Sequence, residues 1–183
     1  KKFGFLGGVN NAIINRFAAG FLAGARYIDN SYTVEVNYVG GFADTTTAKA
    51  QATTMFNNGC DVVFHAAGGS GVGMFNAAEE LGFIAVGVNT NQNAMNPDYI
   101  IASMLKRVDN AAYMAIKSVI EGTFTGGTVT LSLADEGVGY TNEGSNIKLS
   151  DTIIAELDKI EAGIVSGEIV VPATLEEAAE YNK

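Results

Sequence analysis

Asn58-Gly59-Cys60-Asp61-Val62-Val63-Phe64-His65-Ala66-Ala67-Gly68-Gly69-Ser70-Gly71 is the stretch on which the fold turns. It opens on a helix stop, Asn57-Asn58-Gly59, and passes into a short apolar run, Asp61–Phe64. A glycine-rich turn then leads into a helical pattern over Gly71–Leu81, stopped by Gly82. A continuously apolar strand followed at once by an amphipathic helix is the unit of a parallel sheet covered on both faces. The same unit recurs on either side. Strand-length apolar runs lie at Phe3–Leu6, Val34–Val39 and Phe83–Val88, with helical patterns at Ile13–Tyr27 and Thr45–Asn57 between them. Asp44 stands as an N-cap before the second helix. The alternation predicts an α/β fold with a Rossmann-like, doubly wound parallel sheet.

Beyond residue 100 the pattern continues with a strand over Ile100–Leu105 and a helix from Val108 to about Glu121. Thr128–Leu133 alternates and is β-branched, which predicts another strand. Ala134–Lys148 is polar and glycine-bearing. The last helix has Ser150 as N-cap, Ile153, Ile154, Leu157, Ile160 and Ile164 at helical spacing, and Gly167 as its stop. The acidic tail Ala173–Lys183 is helix-compatible, and Pro172 is expected to set it apart, poorly anchored to the core.

Composition narrows the function. With 183 residues, 48% of them hydrophobic, the chain can bury a sizeable core, and neither disorder nor a collagen repeat fits. Eleven scattered Lys and Arg against 20 Asp and Glu argue against a nucleic-acid partner, because phosphate neutralisation needs clustered cations. One Cys and one His make zinc or iron–sulfur chemistry a poor fit, and no internal disulfide can form. No apolar run approaches the ~18 residues of a membrane-spanning helix. A chain that opens on a strand, without Met or a leader, reads as part of something longer.

In an open parallel sheet, ligands gather beyond the carboxyl ends of the strands. Four loops stand there: Gly7–Asn11, Gly40–Asp44, Ala67–Gly71 and Asn89–Asn93. They are rich in Gly and Asn, and they describe a polar, neutral-to-acidic cleft. Ala67–Gly73 has the context of an anion-binding turn but lacks the Lys-Ser/Thr ending of a P-loop. The second strand ends Tyr38-Val39-Gly40-Gly41-Phe42, without the acid that a dinucleotide site wants, so no cofactor is expected. Phe42 has two readings, packing under the following helix or stacking on a flat ligand ring. Lys106 and Arg107 read either as a solvated helix end or as donors to ligand oxygens. His65 follows an apolar run without a nucleophile or base partner and reads as a structural histidine. Binding rather than turnover is the expectation.

Taken in order, Gly4–Gly8, Tyr38–Asp44, Asn58–Gly71, Val86–Gln92 and Ser103–Asp109 closely resemble the basic membrane protein, or PnrA-like, family of nucleoside-binding lipoproteins of ABC importers. The resemblance runs over about residues 1–140. It implies a type I periplasmic-binding-protein fold of two Rossmann-like lobes, with most of the N-terminal lobe lacking here. Residues 1–100 would form the second ligand-binding lobe, 101–142 the inter-lobe crossing segments and helix, and 143–183 a C-terminal helix and tail packing on the lobes. It further implies that Phe42 stacks on a nucleobase, that Gly68 and Gly69 lie against the ligand, and that Lys106 reaches the ribose. Asn89 and Asn91 stand where the family carries acids. An asparagine offers one acceptor group and one donor group where an aspartate accepts two hydroxyl protons, so Asn89 implies weaker ribose binding or a different solute. The partners implied are a small-molecule ligand and an ABC permease, and the place is extracytoplasmic, tethered by an upstream lipid anchor. If the helix from Val108 packs on the other lobe, Ala111, Ala112, Met114, Ala115 and Val119 lose their neighbours here, which predicts an apolar patch or self-association. Two other classes remain open: a ligand-sensing domain of a receptor or transcriptional regulator on the same fold, and an enzyme of Rossmann type.

Overall fold

The computed structural model describes residues 1–181. Six strands form one sheet: β1 (Lys2–Gly7), β2 (Thr33–Tyr38), β3 (Cys60–Ala66), β4 (Ile84–Gly87), β5 (Ile100–Lys106) and β6 (Val138–Thr141). Their order is β2-β1-β3-β4-β5-β6, the first five parallel and β6 antiparallel to β5. The helices are α1 (Ala12–Ile28), α2 (Thr45–Asn57), α3 (Gly71–Leu81), α4 (Val108–Ile120), α5 (Asp151–Ser166) and α6 (Leu175–Ala179).

The doubly wound arrangement follows from side chains that alternate across the sheet. Leu6, Val63 and Ala85 point to one face, where Met55 of α2 and Met74 and Phe75 of α3 cover them. Phe5, Phe64 and Val86 point to the other, where Ile14 and Ala18 of α1 pack. Local chemistry sets the helix ends: Asn11, Asp44 and Ser150 each accept an amide hydrogen of the first turn, and α3 and α5 close on Gly82 and Gly167 in the left-handed region.

Two expectations need correction. Thr128–Leu133 is not a strand. A strand needs a ladder partner, and the free edge of β5 is taken instead by Val138–Thr141, after a turn in which the Ser132 amide and hydroxyl both donate to Asp135 Oδ2. The tail is not loose either. Thr174 and Glu177 form a reciprocal capping box, Ala178 is fully buried against Ala19 and Ala23 of α1, and Arg26 Nε donates to the Tyr181 carbonyl at 3.1 Å. Asn182 and Lys183 lie outside the described residues.

The far side of the sheet is less covered. No residue of α4 is buried, and Tyr113, Ile116, Val119 and Ile120 are all more than 60% exposed, a face that a helix with this apolar pattern ordinarily packs away. An apolar cavity of about 510 Å³ opens between α1 and strands β3–β6, lined by Phe17, Phe21, Phe64, Val86, Met104 and Val171, among others. No helix of the described residues is long and apolar enough to cross a membrane.

Candidate functional site

The strand order places a topological switch between β1 and β3, because the chain leaves β1 toward β2 on one side and returns across it to β3 on the other. The register sets Gly7 beside both Tyr38 and Ala66, so the loops following three strands open together. Phe42 lies at this crevice. A Cβ on Gly8 would overlap its ring, and one on Gly68 would come within 3.2 Å of the Phe42 Cβ, so two glycines form the seat of the ring. Gly68 also has φ +56°, a conformation that glycine adopts without strain. Seated this way, Phe42 keeps 47% of its surface exposed and does not belong to the core.

The loop is clamped from the turn between β3 and α3. The Ser70 amide donates to the Phe42 carbonyl at 3.0 Å, its hydroxyl donates to the Gly41 carbonyl at 3.1 Å, and that hydroxyl accepts the Asp44 amide at 2.9 Å. Ser70 is fully buried. Asp44 in turn caps α2 through the Thr47 amide and hydroxyl, bonds that hold its carboxyl below the usual range.

Two strands further along, Asn89 and Lys106 come together. The Lys106 amide donates to the Asn89 carbonyl at 2.9 Å, and both residues line a cavity of about 500 Å³ with Thr90, Leu105, Arg107, Val108 and Asp109. Asn89 has φ +66°, which asparagine tolerates better than most residues. Lys106 is exposed and has no carboxylate partner among the described residues, whereas Arg107 is committed to Asp109 at 2.8 Å, which holds the Asp109 carboxyl low. Phe42 thus offers a half-exposed aromatic face, and the Asn89–Lys106 corner offers neutral and cationic donors.

Of the residues read from sequence, Phe42, Gly68 and Gly69 form one cluster, and Asn89 with Lys106 forms a second on the same edge of the sheet. Asn91 is occupied structurally: its amide donates to the Glu143 carbonyl and its oxygen accepts the Asn93 amide. Within the loops named from sequence, the roles of Gly8, Ser70, Gln92 and Asn93 are not legible, nor is that of Ser103, which is buried with Asn93 while Gln92 is half-buried. A serine inside an otherwise apolar strand was the available signal for Ser103.

A profile of the family described as ABC transporter substrate-binding protein PnrA-like matches residues 1–175. Basic membrane protein D of Borreliella burgdorferi is 37% identical over 176 residues, covering 93% of this chain and 51% of the relative. The CD4+ T-cell-stimulating antigen of Listeria innocua is 33% identical over 188 residues, covering 93% of this chain and 52% of its own length. Among solved structures, an ABC transporter solute-binding protein from Aeropyrum pernix superposes with a TM-score of 0.80 at 30% identity, over 98% of this chain and 60% of that one. The chain spans about half the length of the curated relatives it matches. Its α/β sheet is that of periplasmic-binding-protein-type solute-binding proteins. The chain belongs to the PnrA-like family of ABC transporter substrate-binding proteins.

Proposed function

We propose that this chain supplies the second lobe of a solute-capture protein of an ABC importer, which binds a purine nucleoside or a related neutral solute between two lobes and presents it to a permease. On this reading residues 1–100 form the second ligand-binding lobe, 101–142 the inter-lobe crossing segments and helix, and 143–183 the C-terminal helix and tail packing on the lobes. The protein works outside the cytoplasm, tethered by a lipid anchor upstream, and binds without turnover. The observation that carries this reading is the half-exposed Phe42 ring, seated on Gly8 and Gly68 at the switch point. A flat heterocycle stacked on such a ring gains roughly 1–3 kcal/mol, while Asn89 and Lys106 offer donors to the polar end of the ligand.

Calorimetric titration of the intact protein, companion lobe in place, against adenosine, guanosine, inosine, cytidine and their free bases tests this. Micromolar or tighter binding of a purine nucleoside is expected, weakened on the order of 10- to 100-fold by Phe42→Ala. No binding across the panel would leave the family fold without this ligand.

The same reading sets α4 against the companion lobe. Purified alone, the 183-residue chain should self-associate through Tyr113, Ile116, Val119 and Ile120, with an apparent mass by light scattering that rises with concentration. A monodisperse monomer across the concentration range would count against that packing.

A further inference from the structure

Beneath the two ligand clusters lies a buried polar network that ligand contact does not explain. His65 is fully buried, edge-on to Phe75 at 5.2 Å and seated against Gly71. Its Nδ1 accepts the Ala67 amide at 3.4 Å, and its Nε2 lies 3.1 Å from Gln92 Oε1. That same oxygen accepts the Val88 amide at 2.7 Å. An amide donor at one ring nitrogen and a carbonyl oxygen at the other assign the proton to Nε2. Gln92 is itself held: its backbone amide donates to Ser103 Oγ at 3.0 Å, and Ser103 Oγ donates to Asn93 Oδ1 at 2.7 Å. Asn93 then donates to the carbonyls of Thr141, the last residue of the edge strand β6, and of Glu143 just beyond it.

One imidazole therefore grips the residue before Gly68 and, through Gln92, the residue before Asn89. We propose that His65, as the neutral Nε2–H tautomer, is a positioning residue of the solute site that holds the Gly68–Gly69 loop and the Asn89 loop in one mutual arrangement. This rests on reading the strand ends as a single solute site. The groups that meet the ring are uncharged: Gly71 and Phe75 from α3, Gln92 from the loop after β4, and the Ala67 amide. Burial pushes the ring's pKa down to about 4, against a weaker opposing pull from Gln92, so the neutral form prevails at neutral pH.

Three variants separate positioning from packing. In His65→Asn the amide oxygen can replace Nδ1 but cannot reach Gln92; in His65→Gln the longer amide can replace Nε2 but not Nδ1; His65→Phe keeps ring volume without either bond. Amide hydrogen exchange followed by NMR on the intact protein without ligand should show Val88 exchanging about tenfold faster in His65→Asn, Ala67 faster in His65→Gln, and both in His65→Phe, the scale of one net hydrogen bond. Inosine affinity of the intact protein should fall in all three, most in His65→Phe. Uniform acceleration across the sheet, or no difference between the Asn and Gln variants, would overturn the proposal. If the wild type binds no inosine, the ligand reading fails while the exchange pattern still decides the coupling. Should the variants not fold, imidazole 15N spectra of the wild type decide it: a ring carrying its proton on Nδ1 would overturn the assignment.

Discussion

Gly73→Ala should destabilise the fold by about 3 kcal/mol, lowering the melting temperature by roughly 6–12 °C in a domain of this size. Gly73 lies in α3 where the helix crosses the start of α2. A Cβ there would overlap the Thr45 carbonyl oxygen and stand 2.8 Å from its carbon and 3.0 Å from the Lys49 amide nitrogen. These are backbone atoms of a helix, so no rotamer change relieves the clash and α2 must move away. Alanine ordinarily gains about 1 kcal/mol over glycine inside a helix, and here that gain is outweighed. Because Asp44, the N-cap of α2, is clamped by Ser70, the displacement also reaches the Phe42 loop. Gly24→Ala is the matching control: it sits in α1 with nothing within 4 Å of the place its methyl group would take, and should raise stability by about 0.5–1 kcal/mol. Thermal and urea unfolding of both variants check the pair. Equal effects would refute the close-crossing argument.

Acidification should weaken the fold well before the carboxylates titrate. His65 is neutral in the folded chain, its pKa depressed from the ordinary 6.5 to about 4 by burial. A depressed histidine contributes stability that is fully present above 6.5 and is lost as the pH falls from there toward 4, because the unfolded chain takes up the proton first. The whole window corresponds to about 3 kcal/mol, of which about 2 kcal/mol is gone by pH 5. Asp29, Asp44, Asp109 and Asp135 have carboxyls held below their usual range, so their contributions fade at lower pH. Urea unfolding at pH 7.5, 6 and 5 therefore isolates the histidine. A stability independent of pH across that range would mean that the ring is not buried neutral. His65→Phe should lower stability at pH 7.5 and abolish the slope.

The sequence was most legible where local and global signals agree. Asp44, Ser150, Gly82 and Gly167 mark helix ends by short-range chemistry, and the structure keeps them there. The parallel sheet was legible for the same reason: continuously apolar strands have only one place to be buried. The failures came where the outcome depends on a distant partner. Thr128–Leu133 has the alternation of a strand, but the edge of β5 pairs with Val138–Thr141. The tail looked separable at Pro172, yet Ala178 finds a gap between small residues of α1 that no local pattern announces.

The candidate site divides along the same line. The strand–helix alternation, the glycine-rich loops at the carboxyl ends of the strands and the family that they resemble can be read without coordinates, because these rest on periodicity and on residue types within a few positions of one another. It takes the folded chain to show that Phe42 rests on Gly8 and Gly68, that Asn89 meets Lys106, and that Asn91 serves the loop. Folding likewise joins His65 to Gln92, 27 residues away. Such contacts depend on which strands become neighbours, and strand order is set by burial on both faces of the sheet rather than by any sequence-local interaction.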